Sequence, residues 1–170
     1  MRQRIGIARA LLGDPRVLIV DEPTTGLDLE SRVKFRDLMR SLAAERIIIL
    51  STHIVSDVEA VASRLLVLAR GELRWNGDMA GLIARAEGRV FDMIVSDADA
   101  RRIAQTHRLT RRVRVRDGVR VRGIVPGGAS LPGPSTEPLL EEAYLIAVGG
   151  DLQLPHKTFA FLFESQQSRA

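Results

Sequence analysis

Three runs of four apolar residues set the limits on this fold: Val17-Leu18-Ile19-Val20, Ile47-Ile48-Ile49-Leu50 and Leu65-Leu66-Val67-Leu68. Each is too short for a helix and lacks the alternation of a strand with one wet face, so each reads as a strand covered on both sides. Helical patterning fills the spaces around them. Gln3 to Gly13 reads as a helix stopped by Gly13-Asp14-Pro15. Leu29 to Ala44 reads as a second, on which Val33, Leu38 and Leu42 can share an apolar face while Arg32, Arg36 and Arg40 make a solvated stripe. Val55 to Ala62 is a third. Strand, helix, strand, helix, strand implies a parallel sheet of the α/β class. With 170 residues, 45% of them hydrophobic and 27% charged, the chain has enough apolar material for a folded core and is far from a disordered composition.

The pattern changes after Gly71-Glu72-Leu73-Arg74-Trp75-Asn76-Gly77. A short helix near Met79 to Ala86, a strand at Arg89 to Val95 and a helix at Ala98 to Thr106 lead to Arg112-Val113-Arg114-Val115-Arg116-Asp117-Gly118-Val119-Arg120-Val121-Arg122. That segment is a hairpin. A three-residue loop, Arg116-Asp117-Gly118 with Gly118 left-handed, pairs Val115 with Val119 and Val113 with Val121 and collects the valines on one face. The same register sets Arg114 against Arg120 and Arg112 against Arg122, so the opposite face is expected to be wet or to meet acid. A Gly/Pro/Ser-rich linker, Pro126 to Pro138, precedes a helix near Leu139 to Val148. The expected organisation is a domain over 1–77, a small α+β accessory domain over 78–148, and a tail over 149–170 whose Phe159-Ala160-Phe161-Leu162-Phe163 run has no assignment.

The first strand ends in two adjacent carboxylates, Asp21 and Glu22, followed by Pro23 and the turn Thr25-Gly26-Leu27-Asp28. Open α/β sheets bind ligands at the carboxyl ends of their strands. There an aspartate can hold Mg²⁺ directly or through water, and a neighbouring glutamate can polarise a water for attack on a terminal phosphate. The plainer reading is a strand leading into a helix-capping loop with both acids in solvent. The second apolar strand ends in Ser51-Thr52-His53. By itself His53 reads as a capping histidine at a strand end. No cysteine is present, which removes disulfides and thiolate metal sites. Met1-Arg2-Gln3-Arg4-Ile5-Gly6 does not resemble a secretory leader, and the apolar runs are too short to span a bilayer, so work at a membrane is expected to require a partner with spanning helices. Only Lys34 and Lys157 are lysines; the other 23 of the 25 basic residues are arginines, a skew attributable to genome composition.

Taken in order, Arg2-Gln3-Arg4 with Ala8-Arg9-Ala10-Leu11, Leu18-Ile19-Val20-Asp21-Glu22-Pro23, Thr25-Gly26-Leu27-Asp28 and Ser51-Thr52-His53 closely resemble the ATP-binding subunit of an ABC (ATP-binding cassette) transporter. The match covers Met1 to Leu73 and corresponds to the latter half of the family's nucleotide-binding domain, a P-loop NTPase parallel-sheet fold. The resemblance implies roles for individual residues. Asp21 becomes the Walker B ligand of Mg²⁺ and Glu22 the catalytic base or water-positioning residue. Asp28 belongs to the loop that communicates across a head-to-tail dimer, His53 is the switch histidine at the γ-phosphate, and Gln3 lies on the nucleotide-binding side. It also implies ATP and Mg²⁺ as cofactors, a membrane-spanning permease and a second nucleotide-binding subunit as partners, and a peripheral position on the cytoplasmic face of the membrane.

Departures from the family pattern are equally specific. G-x-x-x-x-G-K-[ST] does not occur, since neither lysine follows a glycine, and the glutamine loop and the Leu-Ser-Gly-Gly motif are also missing. A start assigned at an internal methionine of a longer protein is favoured over a real remnant, and the isolated chain is expected to be inactive. The second region, with Thr136-Glu137-Pro138-Leu139-Leu140-Glu141-Glu142-Ala143-Tyr144-Leu145, is similar to the appendage that follows this domain in exporters of drugs, antibiotics or lipids. The plainer alternative is a packing module. The arginine-faced hairpin also raises a nucleic-acid-associated ATPase or RNA binder, but no aromatic residue for base stacking occurs between Arg108 and Arg122, which weakens that reading. A third alternative is a regulatory fragment that occupies a full-length partner's dimer interface without catalysis.

Overall fold

The computed structural model describes residues 2–127, 129–149 and 159–163, with side chains from residue 5 onward except those of 159–163. In chain order the elements are α1 (Arg2–Leu11), β1 (Val17–Asp21), α2 (Leu29–Ala43), β2 (Ile47–Thr52), α3 (Val55–Val61), β3 (Arg64–Ala69), β4 (Glu72–Gly77), α4 (Met79–Ala84), β5 (Val90–Val95), α5 (Asp97–Thr106), β6 (Arg108–Val115), β7 (Gly118–Ile124), α6 (Leu140–Ala147) and β8 (Phe159–Phe163). They form two compact units, one running to Met79 and including β8, the other beginning at Ala80.

The first unit is built on a five-stranded sheet in the order β1-β2-β8-β3-β4. β1 and β2 are parallel, with Leu18 opposite Ile48 and Val20 opposite Leu50. The sheet as a whole is mixed, because β8 runs antiparallel to both β2 and β3 and β3 pairs antiparallel with β4. β4 follows a two-residue turn, Arg70-Gly71, with φ of 54° and 78°. Positive φ at both central residues is the geometry that matches strand twist, which is why this segment continues the sheet. Burial on both faces does not hold at β1: Leu18 is buried but Ile19 is 71% exposed. Leu18, Ile48 and Leu50 share the covered side, and α2 and α3 pack against β2.

α2 starts at Asp28, whose Oδ1 accepts the Ser31 N–H at 2.7 Å, and it contains neither glycine nor proline. Its inward face corrects the sequence expectation. Phe35 and Met39 are the buried residues, whereas Val33 and Leu38 are exposed. Arg36 is not on a solvated stripe: its side chain is 18% exposed and ion-paired with the buried Asp57 of α3. A guanidinium with a buried carboxylate to meet can lie inward with its stem on apolar surface, and that partner sits 21 residues away, beyond the reach of a helical-wheel argument.

The second unit is a three-stranded antiparallel sheet, β5-β7-β6, with α5 on one face and α6 on the other. Phe91, Ala100, Val119, Val121 and Val125 form its core on the α5 side. Gly123 is required there, since a Cβ would fall 2.6 Å from the Arg108 carbonyl oxygen and 2.8 Å from the Phe91 ring. The hairpin register also differs from expectation. Val115 pairs with Gly118, Arg114 with Val119, Val113 with Arg120 and Arg112 with Val121, so the loop is the two residues Arg116-Asp117. Valines and arginines are therefore mixed across the ladder. β6 is an edge strand open to water along most of its length, so its faces need not segregate, and the buried side is set by β7 alone.

Candidate functional site

The two carboxylates stand at the tip of β1, where parallel pairing places Asp21 opposite Ser51 of β2. The Ser51 hydroxyl donates to Asp21 Oδ1, and the Glu22 N–H donates to the Ser51 carbonyl at 2.9 Å. Glu22 itself is left-handed, with φ of 45°. Such a conformation costs a non-glycine residue about 1–2 kcal/mol. Pro23 disfavours the right-handed helical region for the residue before it, and the bond to Ser51 together with Thr25 N–H donating to the Glu22 carbonyl at 3.2 Å retains the turn.

The strained backbone turns the Glu22 side chain toward the end of β2. Its Oε2 lies 2.8 Å from His53 Nδ1 and accepts longer hydrogen bonds, 3.3 Å each, from the Thr25 and Thr52 hydroxyls. His53 Nδ1 is thus the donor to Glu22, which leaves Nε2 for another partner. Asp21, Glu22 and His53 meet at one sheet edge. Asp28 lies further along the same loop with one oxygen committed to capping α2. Gln3 belongs to α1, but its side chain falls outside the described residues.

Three residues that sequence reasoning missed hold the loop from behind. Thr24 and Asp57 are buried, at 1% and 2% exposure, and the Thr24 hydroxyl donates to Asp57 Oδ2. Arg36 donates to Asp57 Oδ1 through Nε at 3.0 Å and again through Nη2. The β1–α2 loop is thereby tied to α3, the helix that follows His53. A buried charge is retained only when paired and hydrogen-bonded, and here each carboxylate oxygen has its donor. Pro23 and Leu27 face the other way and line an apolar groove of about 370 Å³ with Ile7, Leu11, Phe35 and Leu38.

The donor set suits a hard cation only in part. Among the described residues no group of three His, Asp or Glu side chains could hold a metal ion unaided. Mg²⁺ is commonly bound through one or two carboxylates, with waters and substrate phosphate oxygens completing the shell, and Asp21, exposed beside Ser51, can supply one such ligand.

No family model matches the chain. Curated relatives do. It is 36% identical over 97 residues to the uncharacterized ABC transporter ATP-binding protein YxlF of Bacillus subtilis, a match over 57% of this chain and 33% of that protein. The ABC transporter ATP-binding protein NatA of the same species is 40% identical over 83 residues, 48% of this chain and 34% of NatA. The Nod factor export ATP-binding protein I of Paraburkholderia xenovorans is 43% identical over 89 residues, 52% of this chain and 29% of that protein. About half of this chain is therefore similar to ABC transporter ATP-binding proteins at 36–43% identity, consistent with a partial ABC ATPase domain. The chain spans about a third of the length of these relatives. Among the described residues no helix is long and apolar enough to cross a membrane.

Proposed function

We propose that this chain carries the magnesium and water-activating half of the ATP site of an ABC exporter's ATP-hydrolysing subunit. The observation that carries the reading is the Glu22–His53 contact of 2.8 Å at the strand edge that also presents Asp21. In this reading Asp21 is the protein ligand of Mg²⁺, which neutralises phosphate charge when bound. Glu22 accepts a proton from the attacking water, and His53, oriented through Nδ1, keeps Nε2 available to the transferred phosphoryl group. The loop from Thr24 to Asp28 lies between the groups that touch substrate and the start of α2, the place where a second subunit would sense the site.

The export direction rests on the resemblance of the second region and on a relative whose name denotes Nod factor export. A separate permease would supply the membrane path and the substrate selectivity, and two ATP-binding subunits would close on ATP and open on hydrolysis at the cytoplasmic face. The hairpin argues against the nucleic-acid alternative, because Arg112 and Arg114 pair with Asp97, and Arg120 and Arg122 pair with Asp92.

The test is a chimera in which this chain follows a phosphate-loop-bearing segment from one of the relatives. It should hydrolyse ATP in a Mg²⁺-dependent manner, and Glu22→Gln should reduce turnover about 10²- to 10⁴-fold. The 170-residue chain alone should show no turnover above background. A folded chimera whose hydrolysis survives Glu22→Gln unchanged would overturn the reading.

A further inference from the structure

We propose that Thr24 and Asp57 are positioning residues for Glu22: the buried hydrogen bond between them holds the left-handed turn at Glu22 in place and thereby sets the contact between the Glu22 carboxylate and His53. The inference rests on the reading of Glu22 as acceptor of the water's proton, and it assigns a kinetic consequence to two side chains buried behind the site. The geometry is a closed ring. From Glu22 the chain runs through Pro23 to Thr24, whose hydroxyl donates to Asp57 Oδ2. From Asp57 it returns along the start of α3 to His53, whose Nδ1 meets Glu22 Oε2 at 2.8 Å. That return is itself stiffened, since the Asp57 N–H donates to the Ile54 carbonyl at 3.0 Å and the Ile54 N–H to the Thr52 hydroxyl oxygen at 3.1 Å.

The two noncovalent links in the ring are unequal. The Glu22 and His53 side chains are 32% and 51% exposed, and an ion pair so open to water contributes little by itself. It does not suffice to hold Glu22 at φ of 45°, a conformation that persists only where its surroundings impose it. Thr24 and Asp57, by contrast, are both buried, and a hydrogen bond to a charged carboxylate is among the stronger kinds. Asp57 is fixed in turn by Arg36, whose Nε donates to Oδ1 at 3.0 Å and leaves Oδ2 for Thr24. On the other side of Glu22 the sheet supplies a second clamp, the Glu22 N–H donating to the Ser51 carbonyl at 2.9 Å. Releasing Thr24 lets residue 22 relax toward the extended region that a following proline favours, and that rotation carries its carboxylate away from His53.

The test begins with the full chain and needs no nucleotide. Thr24→Val removes the hydroxyl and keeps the shape of the side chain, and side-chain nitrogen NMR of His53 reads the Glu22 contact. The His53 Nδ1 and Glu22 Cα resonances should both move in Thr24→Val and stay in place in Thr24→Ser, which keeps the donor. Thr24→Val combined with Asp57→Ala removes the buried charge together with its donor; it serves where the single variant does not fold, and it should move the same resonances. In the ATP-hydrolysing chimera, Thr24→Val should lower kcat about 10- to 100-fold and leave KM for ATP within about two-fold of the parent. Once Glu22→Gln is present, Thr24→Val should lower turnover by less than about a further two-fold, because its effect passes through Glu22. Resonances unmoved by loss of the hydroxyl, a loss confined to KM, or a loss that multiplies with that of Glu22→Gln each overturns the proposal. Displaced resonances together with turnover that survives Glu22→Gln support the brace and overturn the nucleotide reading alone.

Discussion

The two units differ in how completely they enclose their apolar surface. In the second, α5 and α6 pack against the sheet, and among the described residues its large exposed apolar side chains are Ile94, Val113 and Leu139, each at a separate place in the fold. The first exposes Leu12, Val17, Ile19, Leu29 and Val33 among others. Polar groups follow the same division. Among the described residues, the buried side-chain atoms without a hydrogen-bond partner, Arg32 Nε and Arg46 Nε, both belong to the first unit. In the second, Glu142 is met by the Arg122 guanidinium at 2.6 and 2.9 Å, the Leu139 N–H at 2.7 Å and the Thr110 hydroxyl at 3.1 Å. Among the described residues the second unit exposes few large apolar side chains and leaves no buried side-chain polar atom without a partner, while the first presents open apolar faces, the surface type that marks interaction sites.

Mutations in the two buried ion pairs probe that contrast most strongly. Glu142→Gln removes the nearer charge partner of Arg122, leaving Asp92 at 3.6 Å, and should destabilise the second unit by about 1–3 kcal/mol. Followed in urea by near-UV circular dichroism of Tyr144, the single tyrosine, its transition should shift while the Trp75 transition stays in place. Asp57→Asn is the mirror experiment, moving Trp75 and sparing Tyr144. If either substitution shifts both signals together, the units unfold as one body and the contrast is broken.

Acid should distinguish the units next. Hydrogen bonding from Arg120 holds the Asp92 carboxyl below its ordinary value, against the upward push of burial and with the help of both guanidinium charges. Burial pushes the Glu142 carboxyl up, but Arg122, the Leu139 N–H and Thr110 outweigh it and hold it low. Both groups bind protons less readily folded than unfolded. Their stabilisation is therefore complete above the unfolded value of about 4 and drains as pH falls through the lower folded values. The Tyr144 transition should weaken between about pH 5 and pH 2, and Glu142→Gln should flatten that dependence.

The smallest expected effect is at the helix cap. Asp28→Ala removes the acceptor for the Ser31 N–H and should cost about 1 kcal/mol, seen at Trp75 alone. A larger loss, with faster amide exchange through the Thr24–Asp28 loop, would mean that the cap also anchors the candidate site.

The sequence was most legible where chemistry is local. The apolar runs at Val17, Ile47 and Leu65 became β1, β2 and β3, and the acids at the end of the first reached the strand edge together with His53. It was least legible where a residue's environment is chosen by a distant partner. Arg36 carries the spacing of a wet stripe, yet Asp57 draws it inward. The hairpin was expected to segregate its valines, but an edge strand with both sides open imposes no such sorting. The Phe-Ala-Phe-Leu-Phe run carries no local turn or cap to say where it belongs.

Apolar periodicity by itself determined the α/β class and the helices and strands around the apolar runs, because those follow from contacts within a few positions of chain, and the order of motifs carried the resemblance to ABC ATP-binding proteins from which the candidate residues were named. Only the tertiary structure decided that Glu22 is left-handed and aimed at His53, that Thr24, Asp57 and Arg36 brace its loop, and that a distant strand runs backward through the middle of the sheet. Those outcomes depend on which hydrogen-bonding groups can find partners once the chain is closed, a condition satisfied between segments far apart in sequence.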